Sequence, residues 1–389
     1  MTDPATAHAR MVDQLVASGE LRTGPWIRAF RTIPRHVFLP RLFWPTPTGD
    51  WAAVDADDPE WIDRVYAVTS IVTQLDNDPN AWAEARRASR PGMPTSSSSD
   101  PGLMATMLEA LDIHDGHSVL EIGTGTGYNA ALLAERLGDS LVTSIEVDPV
   151  LADQAHATLA AVGRAPSIVT GDGRDGVPDR APYDRIIATV SAPTVPAAWI
   201  QQTRPGGLIL LNLYAELGGG ALALLTAGDG RAEGKFLANY GAFMPTRDAQ
   251  PDRTTQERFT VALRDPAGER GQVDVAANAL DDLDFAMFAA LLVPATGWLR
   301  FMPDGEPTQL WLLAEDAWAM IDTNGATEEH GPRHLAGELA DAHRTWRELG
   351  SPSRDRLGMT ITRGGQRLWL DGPDRAIDTG RYQLRQGMT

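Results

Sequence analysis

Three glycines at alternate positions, Gly123, Gly125 and Gly127, separate an apolar run (Val119, Leu120, Ile122) from a helical pattern that resumes over Ala130 to Leu137. No other feature constrains the fold as tightly. An apolar run of this kind reads as a strand covered on both faces. The glycines then occupy the strand-to-helix turn, where the missing Cβ atoms let a ligand approach the backbone. A lone glycine-rich loop is shared by several cofactor classes and by ordinary tight turns, so the neighbouring segments decide its meaning.

Glu121 precedes the first glycine, and a second apolar segment, Leu141 to Val147, carries Glu146 about 20 residues after the loop, where an acid can grip ribose hydroxyls. A third segment, Ser167 to Val169, runs into Gly171-Asp172-Gly173; a fourth, Tyr183 to Ala188, leads to Ser191-Ala192-Pro193; a further strand spans Leu208 to Leu211. Each acid has a bland reading: Glu146 as a solvated strand-end charge, Asp172 as a turn residue between glycines, Glu121 as a charge beside the loop. Taken in this order they point to S-adenosylmethionine (AdoMet), which has no pyrophosphate and is held by hydrogen bonds to ribose, adenine and the amino-acid end. The expected cofactor residues are Glu121, Gly123, Thr124, Gly125, Gly127, Glu146, Asp172 and Gly173, and the expected product is S-adenosylhomocysteine (AdoHcy).

Gly171-Asp172-Gly173-Arg174, then Ala181-Pro182-Tyr183-Asp184 and Ser191-Ala192-Pro193, resemble the protein-L-isoaspartate O-methyltransferase family. Pro34-Arg35-His36-Val37-Phe38 is similar to that family's Pro-Arg-His-x-Phe signature, and Met11 to Leu15 resembles its opening helix. Where the family has Thr-Ile-Ser-x-Pro, this chain has Ser97-Ser98-Ser99-Asp100-Pro101. The resemblance therefore puts Ser99 in the place of the family's active-site serine, with Ser97 beside it as a second candidate. Composition alone reads Ser96 to Ser99 as a flexible linker, and Ser99 or Asp100 also suits the cap of a helix opening at Pro101. Ser97 and Ser98 depart from the motif, as does Gly102, where the family commonly has an aromatic residue or His. Those departures touch the acceptor side rather than the cofactor side.

The chemistry implied asks little of the side chains. A carboxylate with a reference pKa near 4 is anionic at neutral pH, so attack on a methyl group requires no general base. Catalysis then lies in alignment and in hydroxyl or backbone donors that hold the second carboxylate oxygen, a task that suits Ser99 and Ser97.

With 52 acidic against 34 basic residues and a formal charge of −18, nucleic-acid binding is not expected, because it needs basic surface to displace phosphate counterions. The chain has no cysteine, which excludes disulfides, thiolate metal sites and cysteine nucleophiles. No apolar run approaches the roughly 20 residues of a membrane span, and no charged-then-apolar segment opens the sequence, so a cytoplasmic protein is expected. His330 and His334 lie four apart, but Gly331 and Pro332 break the helical register that a metal-binding pair would need, so no metal is expected.

The expected architecture is α/β: a doubly wound, Rossmann-like class I AdoMet-dependent methyltransferase with N-terminal helices and an additional C-terminal α+β domain. Residues 1–95 comprise the helices and an insertion over 41–95 rich in Pro, Asp and Trp, read either as a lid or as a surface loop. Residues 96–248 form the core, with a turn at Gly218-Gly219-Gly220. Residues 249–389 should fold, with helices over 281–293 and 334–349, strands over 309–313 and 317–321, and a hairpin around Gly364-Gly365.

The extension and the Ser-rich motif resemble methyltransferases of ribosomal peptide maturation (graspetides and lanthipeptides). This similarity implies esterification of a specific Asp in a modified, macrocyclic precursor peptide, leading to succinimide (aspartimide) or isoaspartate, with the extension recognising the peptide. General isoaspartyl repair is the alternative. A small-molecule carboxyl methyltransferase and an AdoMet-fold binding module without turnover stand behind both.

Overall fold

The computed structural model describes residues 3–218, 220–246, 254–265, 267–303, 305 and 307–377. Internal contacts divide the chain into two compact units: Met1–Val190, Pro196–Leu211 and Thr226–Asp229 form the first, and Ser191–Val195, Asn212–Leu225 and Gly230–Thr389 the second.

The first unit opens with α1 (Pro4–Ala17), whose N-cap Asp3 accepts from the Thr6 amide, and α2 (Gly24–Thr32). Met11, Val12 and Leu15 of α1 and Trp26 and Phe30 of α2 are buried, as their helical spacing requires. Residues 41–95 form regular structure rather than a surface loop. They hold β1 (Arg41–Pro45), β2 (Trp51–Asp55), α3 (Trp61–Val65), β3 (Ile71–Leu75) and α4 (Ala81–Arg87). With β4 (Pro94–Ser98) these strands form a four-stranded sheet in the order β2-β1-β3-β4, whose pairs β1/β2, β1/β3 and β3/β4 are antiparallel. Phe43, Ala53, Leu75, Ala81 and Ala85 give this region a small core of its own, covered by Trp51, Val72 and Trp82. The serine run is therefore a paired strand, with Val72 opposite Ser97 and Ile71 opposite Ser98, and a boundary at 95 falls inside β4.

After α5 (Pro101–Ala110) come β5 (Val119–Ile122), α6 (Tyr128–Leu137), β6 (Val142–Glu146), α7 (Pro149–Ala161), β7 (Ser167–Thr170), β8 (Tyr183–Ala192), α8 (Ala197–Gln202) and β9 (Thr203–Leu213). Here the strand order is β9-β8-β5-β6-β7, and the pairs β5/β6, β5/β8 and β6/β7 are parallel. All four residues of β5 are buried, as a strand covered on both faces demands. The chain winds outward through β6 and β7 and then returns to the other side of β5. The carboxyl end of β5 is thus the switch point of the doubly wound class, where such sheets bind ligands.

In the second unit, β11 (Arg231–Tyr240) and the first five residues of β10 (Ala221–Gly228) belong with β17 (Leu357–Thr362) and β18 (Gly365–Leu370) in the order β18-β17-β11-β10. A five-stranded sheet contains β12 (Glu269–Gln272), β13 (Gly297–Phe301), β14 (Gln309–Leu313), β15 (Trp318–Asp322) and β16 (Ala326–His330), ordered β12-β16-β15-β14-β13. The helices are α9 (Thr255–Ala262), α10 (Leu283–Leu292) and α11 (Leu335–Glu348). Phe259, Ala262, Trp311, Leu313 and Trp318 form one apolar cluster, and Phe285 of α10 packs on Trp346 of α11 with ring centroids 5.4 Å apart.

The two expected helices and the expected hairpin are all present, the latter as β17/β18 with Thr362 paired to Gly365. Because β17 pairs with β11, however, residues beyond 249 do not separate from those before 246. Gly219, the middle of the expected turn, and residues 378–389 lie outside the described residues. Among the described residues no group of His, Asp or Glu is suited to a metal, and no helix is long and apolar enough to cross a membrane.

Candidate active site

The loop after β5 is built from positive backbone angles, with φ of 91° at Gly123, 52° at Gly125 and 85° at Gly127. Packing adds a second requirement at Gly123 and a tight fit at Gly127. A Cβ on Gly123 would sit 2.7 Å from Cγ1 of Val190, and one on Gly127 would sit 3.3 Å from Cβ of Ala155 on α7. Gly125 differs, since the atom nearest its missing side chain is the Ser97 carbonyl oxygen, at an ordinary 3.6 Å. The Gly125 amide donates to Oε2 of Glu146 at 2.9 Å. Thr189 grips the entry to the loop, its hydroxyl donating to the carbonyls of Ile122 (3.0 Å) and Gly123 (2.6 Å).

Beneath the loop runs a chain of polar side chains that local sequence does not reveal. Thr124 Oγ1 lies 2.6 Å from Ser144 Oγ, Ser144 donates to Oε2 of Glu121 at 2.6 Å, and Asn129 Nδ2 donates to Oε1 of Glu121 at 2.7 Å. Glu121 is 0% exposed. Burial pushes its carboxyl up to about 7, opposed by the two donors and assisted by the nearby charge of Glu146. The structure therefore sets Glu121 behind the loop as its buttress, whereas the sequence suggested a cofactor contact. Asn129, a polar residue within the apolar run of α6, was the available signal for this network.

Glu146 closes β6, its second oxygen accepting from the Asp148 amide at 3.1 Å. Asp172 follows β7 and caps the turn Gly173–Asp175, accepting from the Arg174 amide at 2.9 Å. The Arg174 guanidinium also holds the Asp172 carboxyl below the usual carboxylate range. Gly173 admits no side chain, since a Cβ there would lie 2.5 Å from Cγ2 of Ile122, and its carbonyl accepts from Nε1 of Trp199 at 2.8 Å. The donor set fits AdoMet. Carboxylates at the ends of two neighbouring parallel strands suit ribose hydroxyls and an adenine amino group, whereas a pyrophosphate would need free loop amides, and that of Gly125 is taken by the Glu146 carboxylate.

On the other side of Gly125 lies β4. Its serines alternate: Ser96 and Ser98 are buried, while Ser97 and Ser99 are partly exposed. Neither the Ser97 nor the Ser99 hydroxyl bonds a protein group among the described residues. Capping of α5 falls instead to Asp100, which accepts from the amides of Gly102 (2.7 Å) and Leu103 (3.1 Å), so the Ser99 hydroxyl is not spent on the helix. The space that a side chain at position 102 would fill is taken by Glu20, whose carboxylate oxygens lie 2.8 and 2.9 Å from the Gly102 Cβ position. Arg35 of the Pro-Arg-His-x-Phe stretch is fully buried and donates to the carbonyls of Ser98 (3.4 Å) and Ser99 (2.9 Å). Burial lowers its guanidinium to about 10, against the raising influence of Tyr128, Asp100 and Tyr66, and it remains cationic at neutral pH.

In the second unit Ser191 is engaged, donating to the Phe243 carbonyl (2.9 Å) and accepting from Asn212 (2.7 Å).

A doubly wound parallel sheet with a glycine loop at its switch point and acids ending the next two strands defines a class I AdoMet-dependent methyltransferase. The family model for protein-L-isoaspartate(D-aspartate) O-methyltransferase matches residues 6–218, more than half of the chain. The chain belongs to that family, whose members transfer methyl groups from AdoMet to aspartyl-type carboxyls.

A protein-L-isoaspartate O-methyltransferase from Methanopyrus kandleri is 33% identical over 208 residues, covering 53% of this chain and 76% of that protein. One from Pyrococcus horikoshii is 40% identical over 156 residues, 38% of this chain and 67% of that protein. Relatives from Ignicoccus hospitalis and Archaeoglobus fulgidus are matched over 58% and 52% of their own lengths. A solved structure described as a protein-L-isoaspartate O-methyltransferase aligns over 94% of this chain and all of its own, with a TM-score of 0.53 at 22% identity.

Proposed function

We propose that the protein methylates the side-chain carboxylate of an isoaspartyl residue in a peptide or protein, the chemistry of isoaspartyl repair. One observation carries this reading: the Ser97 carbonyl stands 3.6 Å from the Cβ position of Gly125, so the serine strand and the cofactor loop share one site. The site has two sides. Glu146, Gly125 and Asp172 hold the cofactor, with Thr124, Gly123, Gly127 and Gly173 shaping the backbone around it and Glu121 supporting it from below. Ser99 and Ser97 offer hydroxyl donors to the carboxylate that is not attacking.

When bound, AdoMet supplies an electrophilic methyl whose carbon–sulfur bond breaks as the carboxylate oxygen bonds to carbon, leaving the electron pair on sulfur and moving no proton. The chain's residues therefore need no general base. They hold the two reactants in line, which suits hydroxyls fixed by the backbone beneath them.

The extension first suggested a dedicated precursor peptide. Against that, the isoaspartyl methyltransferase structure aligned over 94% of this chain must span most of the extension as well, so the added fold does not by itself mark a tailoring enzyme. The tailoring reading keeps one support in Ser97, Ser98 and Gly102, the positions where the acceptor-side segment departs from the family pattern.

The test is methyl transfer from labelled AdoMet to two linear peptides that differ only in Asp versus isoAsp, followed by mass analysis. Turnover on the isoAsp peptide alone is the expected result. Silence on both peptides with AdoHcy still bound would overturn repair in favour of a dedicated peptide.

A further inference from the structure

Arg35 donates to five backbone carbonyls drawn from two separate segments. Nη1 reaches Val65 (3.0 Å) and Ala67 (2.9 Å); Nη2 reaches Thr69 (3.1 Å), Ser98 (3.4 Å) and Ser99 (2.9 Å). The first three acceptors run from the last residue of α3 into its connection to β3, and the last two are the final residue of β4 and Ser99 itself. The side chain is 0% exposed and makes no ion pair among the described residues, and its Nε has no partner.

A buried cation without a bonded carboxylate is a poor device for stability, because desolvation offsets much of what its hydrogen bonds return. As a rigid spacer it is well suited. The guanidinium is a planar fork of fixed donors, so carbonyls bound to its two ends are held at a set separation and angle. A lysine ammonium has three donors on a flexible stem and cannot hold the same five oxygens.

We infer that Arg35 is a positioning residue for methyl transfer: it clamps the Ser98-Ser99 strand end against residues 65–69 and so fixes the Ser99 hydroxyl relative to the glycine loop. The inference rests on the acceptor-side role given to Ser99 under Proposed function. Displacement of a reacting group by about 1 Å can cost roughly 100-fold in rate, so a large fall in kcat follows from loosening the clamp. The cofactor loop is not among the groups that Arg35 touches, and its affinity should be spared.

A double-mutant cycle with Arg35→Lys and Ser99→Ala tests this, reading kcat and KM on the isoAsp peptide and AdoHcy affinity by calorimetry. Each single variant should lower kcat about tenfold or more while AdoHcy binding stays within about twofold, and the double variant should be no slower than the slower single. Losses that multiply, or AdoHcy affinity that falls in step with kcat, would overturn the inference and leave Ser99 its role. An Ser99→Ala variant with unchanged kcat would sink the Ser99 assignment first, and the inference with it.

Amide exchange of the wild-type protein under increasing urea supplies an arm that needs neither turnover nor a folded variant. Residues 65–69 and 98–103 should open together, at one free energy. Opening of either segment without the other would refute the clamp.

Discussion

Replacing Glu121 by Gln isolates the cost of a carboxylate sealed beneath the cofactor loop. In the folded protein the carboxyl holds its proton up to about pH 7, whereas its ordinary value is 4.5. Between those values the folded state binds more proton than the unfolded chain, so Glu121 lowers stability progressively as pH rises, and the loss is complete above pH 7. The full separation corresponds to about 3 kcal/mol, of which about 2 to 3 kcal/mol develops between pH 5 and pH 8. Gln keeps an acceptor for Asn129 and turns its amide toward Ser144, which costs a pH-independent amount of about 1 kcal/mol. Urea denaturation of both proteins at pH 5, 6, 7 and 8 should therefore show the variant gaining on the wild type by about 2 to 3 kcal/mol across the series. A difference that stays constant with pH would mean that Glu121 does not take up a proton on folding, and the reasoning would fail.

Three further outcomes are expected. Glu146→Ala should weaken AdoHcy binding about tenfold or more in calorimetry, through loss of charge-assisted hydrogen bonds, and should also lower the melting temperature, because the Gly125 and Asp148 amides lose their acceptor. Gly173→Ala places a Cβ 2.5 Å from Cγ2 of Ile122 and should cost about 1 to 3 kcal/mol in urea unfolding, together with some cofactor affinity. Truncation after Thr246 strips β17 from β11, whose register runs from Ala232 opposite Ile361 to Lys235 opposite Gly358, and leaves an open edge. The shortened chain should aggregate in size-exclusion chromatography; a soluble monomer that binds AdoHcy would show that the extension is dispensable for folding.

Much of the cofactor side was legible because its signals are local. Strand, glycines and helix follow one another within Val119 to Leu137, and each later acid sits at the end of its own strand. The insertion was not legible. Its strands are five residues long, interrupted by Pro, Asp and Trp, and half-exposed, so neither alternation nor a continuous apolar run marks them. The serine strand escaped for a related reason: β4 has no apolar pattern, and only its partner β3 makes it a strand. Contacts distant in sequence were invisible in principle. Arg35 meets Ser99 across 64 positions, and Glu121 meets Ser144 across 23. In the second unit the α10 and α11 patterns and the hairpin of β17 and β18 were readable, whereas β12 is exposed along its whole length and gave no signal.

The carboxylate of Glu20 standing where a side chain at 102 would go makes these two positions a single unit of variation. A bulky residue at 102 meets the far end of a flexible, partly exposed side chain, so it requires Glu20 to swing aside. Shortening Glu20 first opens a vacancy at the head of α5, three residues from Ser99. An engineer altering acceptor preference through position 102 would therefore design positions 20 and 102 together.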